Sequence, residues 1–405
     1  MKSFTLALFL AAASATASHL PGFGVQLLGA TSGFASSIAI DSHGTIYYTT
    51  TDGNLFRFDG GQSSLIAQVT TVAGGDSGLL GMALRDDTTA VVHYTTPNQI
   101  ADVLSMIDLT TGKETILQSF VADKDFPARG SSPEHHGGNP AVAADGSIFF
   151  GIGDYGGGVI ASLPDWNGGK IFRVFPDGSV EQFARGFRNP FDMFWDAPNQ
   201  RLITTDNGPA VDDEIDIVHE HDFCGWPFTV GNQPPIEGAV GPIYTFPVIT
   251  APTGMAALSG RNGMLRSGYV IAAYVTKALY YVRDIDARPF PDPITLIEGE
   301  TGAIIDVAEG PKGDLLFVTG KAVYKLIVPL RGDCNGDGKI DAADWEALNR
   351  EVADGDPHST FVAQDGMFPG SWGCDVNGDG VIDGRDLAAL RSLLGWRARA
   401  VRKHP

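Results

Sequence analysis

The fold is decided by a pattern that first occurs in IAIDSHGTIYYTTTDGNLFRFDG, residues 38–60. Apolar and β-branched residues alternate with polar ones, a turn with Asp and Gly follows, and further alternating runs come after it. Alternation with a period of two is typical of β-strands, and Asp-x-Gly segments are typical of tight turns. The stretch therefore predicts antiparallel strands joined by short turns.

The same pattern recurs five more times before residue 329. The further copies lie at 79–96, 141–180, 191–208, 263–282 and 304–328. Repeats of about 40 to 50 residues are typical of propeller blades with four strands each. No long amphipathic helical pattern occurs before residue 340. We therefore predict an all-β six-bladed β-propeller over 19–328, and we rank a β-sandwich behind it.

Composition and the N-terminal sequence restrict the cellular location of the protein and its possible binding partners. The 405 residues carry a formal net charge of −20, which disfavours binding to nucleic acid or to anionic membranes. Residues 1–18, MKSFTLALFLAAASATAS, combine a lysine, a short apolar run and small residues, which is typical of a secretory signal peptide. The apolar run is too short to span a membrane. We therefore expect an exported protein, either extracellular, periplasmic or at the cell surface.

Two acidic loops mark a second domain, predicted over 329–405. They are DCNGDGKIDAAD (333–344) and DVNGDGVIDGRD (375–386), and each precedes a short helical pattern. Positions 1, 3, 5, 9 and 12 carry side-chain oxygens, position 6 is glycine, and position 7 supplies a backbone carbonyl, an arrangement that suits calcium. The predicted ligands are Asp333, Asn335, Asp337, Lys339, Asp341 and Asp344 in the first loop, and Asp375, Asn377, Asp379, Val381, Asp383 and Asp386 in the second. Two copies at the same spacing disfavour the alternative of acidic surface loops.

The three cysteines divide between the two domains. Cys334 and Cys374 flank the first ligands of the two loops, Asp333 and Asp375, so we predict a disulfide between them, which export would permit. Cys224 is then expected to be a buried free thiol.

With Asp at position 12 and no helix before either loop, residues 331–396 resemble type I dockerins, which are calcium-binding modules with a duplicated loop. The resemblance implies a docking partner of the cohesin type. Where that family often has Ser or Thr for this contact, the chain has Ala342-Ala343 and Gly384-Arg385. A purely structural or anchoring role for the module is therefore also open.

Five motifs in the propeller region occur in a fixed order. They are GLLGMAL (78–84), EHHGGNPAVAADGSIFFGIGD (134–154), GKIFRVFPDGS (169–179), GFRNPFD (186–192) and NGPAVDDEIDIVHEHDFCGWP (207–227). Together they resemble the soluble glucose/sorbosone dehydrogenases that depend on pyrroloquinoline quinone (PQQ) and calcium. The family fold is a six-bladed propeller. The resemblance implies oxidation of an aldose or a related sugar, with electrons passed to an external acceptor.

The resemblance also implies a role for each matching residue. His135 would be the catalytic base, and Asp154 would orient it. Arg188 and Asn189 would contact the cofactor, with Arg188 stabilising its reduced form. The carbonyls of Gly208 and Pro209 would bind the calcium that holds PQQ, Asp213 and Glu214 would be further acidic ligands, and Asp76 stands where the family has a cofactor-binding Gln or Glu. We expect His135 and Asp154 to lie beside the cavity and not in the core of a blade.

Some features of that family are absent. In the stretch TGAIIDV (301–307), Ala303 and Ile305 occupy positions where the family has cofactor-binding arginines, and Lys277 is displaced from the position of a family lysine. One alternative is therefore a non-catalytic propeller that binds carbohydrate or protein through an eroded cofactor site. A second alternative is a calcium-dependent lactonase, which would need several carboxylates to converge on one central metal.

Overall fold

The computed structural model describes residues 18–20, 22–98, 101–121, 134–262, 264–265, 267–353, 372–378 and 381–396. Residues 1–17 of the proposed signal peptide and the proposed calcium ligand Asp379 lie outside these ranges. Among the described residues, no helix is both long and apolar enough to cross a membrane.

Six antiparallel sheets form the six blades of a β-propeller, and each of the six sequence copies falls in a different sheet. The strands are given from the innermost to the outermost. Blade 1 contains β3 (Ala35–Ile40), β4 (Ile46–Thr50), β5 (Asn54–Asp59) and β6 (Gln62–Gln68). Blade 2 contains β7 (Leu79–Asp86), β8 (Thr89–Thr95), β9 (Ala101–Asp108) and β10 (Glu114–Val121). Blade 3 contains β11 (Ala141–Val142), β12 (Ile148–Ile152), β13 (Lys170–Val174) and β14 (Val180–Arg185).

The second half of the ring repeats this order. Blade 4 contains β15 (Pro190–Asp196), β16 (Arg201–Asp206), β17 (Glu214–Val218) and β18 (Tyr244–Thr245). Blade 5 contains β19 (Pro252–Ala257), β20 (Tyr269–Ala273), β21 (Ala278–Val282), β22 (Ile294–Glu298) and an extra outer strand, β1 (Ser18–His19). Blade 6 contains β23 (Ile304–Glu309), β24 (Leu315–Thr319), β25 (Ala322–Ile327) and β2 (Gly24–Ala30). Short 3-10 helices cover Gly158–Ser162, Ala197–Asn199 and Trp372–Cys374.

The ring is closed by the N-terminal strand β2, which pairs with β25 and completes blade 6. The last blade therefore combines the beginning and the end of the propeller sequence. This closure covers an edge that would otherwise expose unpaired backbone groups. The sequence copies do not include β2, so the way in which the ring closes is a finding of the structure.

Apolar clusters fill the interfaces between neighbouring blades. On β4, Tyr47 packs in the cluster shared with blade 2, and the next residue, Tyr48, packs in the cluster shared with blade 6. Successive side chains of a strand point to opposite faces, so a strand between two neighbours buries both of its faces. This explains why central strands such as Ile148–Ile152 are buried along their whole length.

Hydrogen bonds in the central channel connect the innermost strands across blade boundaries. Asp306 of blade 6 accepts from the amide of Ile38, at 2.8 Å, and from the hydroxyl of Ser37, at 2.8 Å. Asp192 of blade 4 accepts from Asn139, at 2.9 Å, and from the amide of Met255 in blade 5, at 2.6 Å. Burial raises the pKa of Asp306 to about 7, and burial together with the nearby Asp306 raises that of Asp192 well above its ordinary value.

The C-terminal module contains two helices, α1 (Ala342–Ala353) and α2 (Gly384–Leu393). Leu348 and Leu390 are fully buried in its small apolar core. The predicted disulfide between Cys334 and Cys374 is confirmed, with their Cα atoms 4.5 Å apart, and Cys224 is confirmed as a buried free thiol. The bridge ties the first positions of the two calcium loops together.

Candidate active site

A cavity of about 630 Å³ lies at one end of the central channel. Its wall includes residues near the starts of five innermost strands, namely Ser36, Leu80, Phe191, Thr253 and Ile305. Seven of the propeller residues predicted from the sequence line it: Asp76, His135, Arg188, Asn189, Gly208, Pro209 and Asp213. Motifs spread over more than 130 residues of the chain therefore meet around one cavity.

His135 and Asp154 form a close pair at this cavity. Nδ1 of His135 lies 2.6 Å from Oδ1 of Asp154, and 12% of the His135 side chain is exposed. With Nδ1 engaged by the carboxylate, Nε2 of the imidazole is left for a ligand in the cavity. A carboxylate partner fixes the tautomer of an imidazole and increases its basicity.

Asp154 does not itself line the cavity and lies behind His135, which does. It is buried, and its carboxylate accepts from Nε1 of Trp226 at 2.9 Å and from the amides of Gly156 and Gly158 at 2.8 and 3.1 Å. These three donors fix the position of the carboxylate. Asp154 is therefore a structural anchor as well as the partner of His135.

The two glycines after the histidines are explained by close backbone packing. A side-chain carbon at Gly137 would lie 2.2 Å from the carbonyl oxygen of Gly151, and one at Gly138 would lie 2.2 Å from that of Phe191. Gly137 also has a φ of +85°, and its amide donates to Oδ1 of Asn189 at 2.9 Å. The loop that carries His135 can therefore lie directly against blades 3 and 4.

Arg188 and Asn189 are held by a buried carboxylate. Their amides donate to Asp206, at 2.9 Å and 2.6 Å. Nη1 of Arg188 donates to the carbonyl of Asn207 at 2.7 Å, which keeps the guanidinium at the cavity wall. Burial raises the pKa of Asp206 to about 6, although these two amides act in the opposite direction. Neither Asp206 nor Asn207 was singled out from the sequence, because their role depends on contacts with the preceding turn.

Gly208 and Pro209 form a turn at the cavity wall. Asp213 accepts from the amide of Gly208 at 3.0 Å and from those of Thr250 and Ala251 at 2.7 and 2.8 Å. No described residue donates a hydrogen bond to the carbonyl oxygens of Gly208 and Pro209. The turn therefore offers two unused oxygen acceptors, and Asp213 positions the turn.

Glu214 is not brought to the cavity with the others. It is buried at the start of β17 and accepts from the amide of Gly231. Burial and the neighbouring carboxylates of Asp216 and Asp206 raise its pKa to about 10. The surroundings of Glu214 therefore favour its neutral form.

The remaining part of the wall carries little positive charge. Arg188 is the only lysine or arginine among the described lining residues, while Asp76 is an exposed member of the wall. Ile305 lines the cavity, whereas Lys277 does not. Phe34, Ile249 and Tyr274 are partly exposed apolar members of the same wall. The cavity thus combines one cation with a broad apolar surface.

The two predicted calcium loops share one hydrogen-bond pattern. Asp344, at position 12 of the first loop, accepts from the amides of Asn335 and Asp341 at 3.2 and 2.7 Å. Asp386, at position 12 of the second loop, accepts from the amides of Asn377 and Asp383 at 2.9 and 2.8 Å. Asp333 accepts from the amides of Asp337 and Gly338 in the first loop, at 3.0 and 2.8 Å. In both loops, backbone amides therefore donate hydrogen bonds to the aspartate at position 12 of the same loop.

Among the described residues, no group of three or more carboxylate, imidazole or thiolate side chains converges as a metal site. At the propeller cavity, the potential ligands of a cation are mainly backbone carbonyls. Position 5 of the second loop, Asp379, lies outside the described residues.

Comparisons with known proteins agree with this organisation. The family model described as Glucose / Sorbosone dehydrogenase matches residues 34–328, and the model of the Dockerin type I domain matches residues 331–395. Quinoprotein glucose dehydrogenase B of Acinetobacter calcoaceticus is 24% identical over 207 residues, which are 41% of this chain. The aligned part spans 43% of that relative's length.

Solved structures show the same fold. The PQQ-bound aldose sugar dehydrogenase of Streptomyces coelicolor has a TM-score of 0.64 at 21% identity, over 76% of this chain and 99% of that one. The apo-form of the soluble aldose sugar dehydrogenase of Escherichia coli has a TM-score of 0.61 at 18% identity, over 75% and 99% of the two chains. These similarities confirm the six-bladed propeller.

Proposed function

Because the chain belongs to the glucose/sorbosone dehydrogenase family, we propose that it is a PQQ- and calcium-dependent dehydrogenase of an aldose or a related sugar. The observation that carries the proposal is the His135–Asp154 pair, 2.6 Å apart, at a cavity that also holds Arg188 and the Gly208-Pro209 turn. Oxidation would remove from the sugar one hydride, which carries both electrons, and one hydroxyl proton, and an external acceptor would finally take the electrons.

The proposed role of His135 is to remove the proton of the sugar hydroxyl that is oxidised. Nε2 would accept this proton, while Asp154 holds Nδ1 and stabilises the positive charge that forms on the ring. The imidazole is only slightly exposed, which limits competition by water. A positioned base of this kind typically accelerates a reaction by ~10²–10⁴-fold.

The donor groups at the cavity suit the cofactor and its metal. The unused carbonyls of Gly208 and Pro209 are hard oxygen ligands, which calcium prefers. Arg188 would pair with negative charge on the cofactor, and Asn189 holds the loop beside it. When bound, PQQ would supply the hydride acceptor. The cavity volume of about 630 Å³ leaves room for a cofactor and a monosaccharide together.

The small number of cationic side chains at the cavity leads us to propose that the cofactor binds weakly. PQQ carries three carboxylates, whereas the described wall offers one arginine, and Ile305 stands where the family has a cation. Charged hydrogen bonds contribute about 1.5–3 kcal/mol each. We therefore expect weaker cofactor binding than in relatives that have those arginines, and a stronger dependence on calcium.

Two alternatives compete with this proposal. A non-catalytic sugar- or protein-binding propeller is favoured by the apolar wall of Phe34, Ile249 and Tyr274, because aromatic and apolar surfaces also bind sugars and proteins. A lactonase with a central metal is disfavoured, because the channel carboxylates Asp192 and Asp306 are engaged by main-chain and side-chain donors.

We also propose that the protein is exported and is attached through its C-terminal module. Support comes from the signal-like residues 1–18, from the disulfide, which is typical of oxidising compartments, and from the dockerin match. The partner would be of the cohesin type, on a surface that has Ala342-Ala343 and Gly384-Arg385 in place of hydroxyl side chains.

Reconstitution of the purified full-length protein tests the enzymatic proposal. PQQ is titrated with calcium present, the absorbance of the bound cofactor is recorded, and reduction of a dye is followed with a panel of aldoses. The expected result is bound cofactor and sugar-dependent dye reduction, both reversed by a calcium chelator. Sugar binding without cofactor binding would replace the proposal with the binding-module alternative.

A further inference from the structure

Behind the His135–Asp154 pair lies a second set of hydrogen-bonded side chains, which we name the Asp102 cluster: Asp102, His93, His136 and Tyr155. All four residues are fully buried. None of them lines the cavity, and none has a part in the proposed reaction. Ionisable groups at such depth are unusual unless they are paired.

Asp102 is the centre of this cluster. The hydroxyl of Tyr155 donates to Oδ2 of Asp102 at 2.6 Å, and Nδ1 of His136 lies 3.2 Å from both carboxylate oxygens. Nε2 of His93 lies 3.2 Å from Oδ1. Burial alone would raise the pKa of Asp102, but the charge and hydrogen bonds of His136 and His93 hold it below its ordinary value. The carboxylate can therefore act as a permanent acceptor.

The cluster is connected to the candidate catalytic pair through the chain. His136 directly follows His135, and Tyr155 directly follows Asp154. Asp102 lies on β9 of blade 2, whereas the two pairs of neighbours precede and follow strands of blade 3. Asp102 of blade 2 therefore binds both His136, which follows the proposed base, and Tyr155, which follows the orienting carboxylate.

The backbone at these points is in an unfavourable conformation. His135 has a φ of +60° and Tyr155 has a φ of +53°. Residues other than glycine rarely adopt such values, and they persist only where surrounding contacts hold them. The side chains of His136 and Tyr155, fixed on Asp102, are contacts of this kind.

We propose that Asp102 is a positioning residue, which holds the main chain on both sides of the His135–Asp154 pair and thereby sets the hydrogen bond that orients the base. The consequence for turnover rests on the proposed function, whereas the effect on the hydrogen bond does not. Displacement of a catalytic group by about 1 Å can lower a rate by ~10²-fold, so supports of this kind control turnover without touching the substrate.

The test uses the full-length protein and begins without cofactor. Proton NMR is recorded for the low-field resonance of the proton between His135 and Asp154, which is assigned by its loss in His135→Gln. Tyr155→Phe removes one hydroxyl from the Asp102 cluster and keeps the ring. Its matched control is Tyr281→Phe, because Tyr281 is also buried and donates one hydrogen bond of 2.7 Å to the carbonyl of Ser267 in blade 5.

We expect Tyr155→Phe to shift or broaden the His135 resonance and Tyr281→Phe to leave it unchanged. In the enzyme loaded with PQQ and calcium, kcat should fall ~10- to 100-fold in Tyr155→Phe, with KM nearly constant. Asp102→Asn should have the larger effect of the two cluster variants. If Asp102→Asn does not fold, the comparison of Tyr155→Phe with Tyr281→Phe is sufficient to test the role of Asp102.

The two proposals fail in different ways. Absence of sugar oxidation in the wild-type protein would contradict the proposed function, and the NMR comparison would still decide the role of Asp102. If the His135 resonance in Tyr155→Phe is the same as in the wild type, Asp102 only supports the blade core and the proposal is wrong.

Discussion

The indole of Trp226 donates to the carboxylate of Asp154 at 2.9 Å, across 72 residues of sequence. The other oxygen of Asp154 faces His135. The Gly-Trp-Pro motif after β17 therefore supports the candidate base through Asp154, although no role was assigned to Trp226 from the sequence. We therefore expect Asp154 to stabilise the propeller as well as to orient the proposed base.

Asp154→Asn should lower both turnover and stability. The amide group of asparagine cannot accept from all the donors now held by Asp154, so a buried donor loses its partner, at about 1–3 kcal/mol. Thermal unfolding should show a lower Tm than in Asp177→Asn, a control in an exposed turn where the carboxylate accepts from Ser179. An equal Tm in both variants would contradict the burial of Asp154.

His135→Ala should separate chemistry from folding. We expect kcat to fall by ~10²–10⁴-fold, because this is the usual contribution of a general base. The Tm should change little, since Asp154 keeps its bonds to Trp226, Gly156 and Gly158. His43→Ala is a suitable control, because His43 is a largely exposed histidine remote from the cavity. Turnover that survives His135→Ala would exclude it as the base.

Stability should depend on pH through the buried carboxyl groups. Asp306 has a pKa of about 7 in the folded protein, above its ordinary value near 3.8, because it is buried. The folded state therefore binds more protons than the unfolded state between these values, and stability falls as the pH rises from about 4 to about 7. The effect should be on the order of a few kcal/mol. Asp206, with a pKa of about 6, acts in the same direction.

Asp306→Asn isolates this contribution. Denaturant unfolding of the wild type and the variant, from pH 4 to pH 8 and with chelator present throughout, should give a smaller decrease of stability with pH in the variant. The absolute stability of Asp306→Asn is not diagnostic, because the new amide also changes the hydrogen bonds to Ser37 and Ile38. Parallel pH profiles would show that Asp306 does not titrate in this range.

The C-terminal module should require calcium for its fold. Each loop groups several carboxylates, which repel one another without a cation. The isolated fragment 331–405 should gain helical circular dichroism with calcium and lose it with chelator. The double variant Asp344→Ala with Asp386→Ala removes both residues at position 12 and should abolish the response. A fragment that is fully helical in chelator would contradict this prediction.

The six-bladed architecture, the duplicated acidic loops and the disulfide were predictable from the sequence alone. Strand alternation and Asp-Gly turns are encoded within a few neighbouring residues, and Cys334 and Cys374 flank the first ligands of two visible repeats. The cavity residues His135, Arg188 and Gly208 were predictable from the order of their motifs. Local sequence patterns and recurrent motifs can be identified without knowledge of the tertiary packing.

Only the tertiary structure decided how these parts are arranged. The structure shows that β2 closes the ring on β25, that Asp154 is buried under Trp226, and that Glu214 lies outside the cavity wall. It also brings Asp102 to His136 and Tyr155, over sequence separations of 34 and 53 residues. Such contacts depend on the positions of whole blades around the channel, and these positions are set by close packing across every blade interface and not by any local pattern.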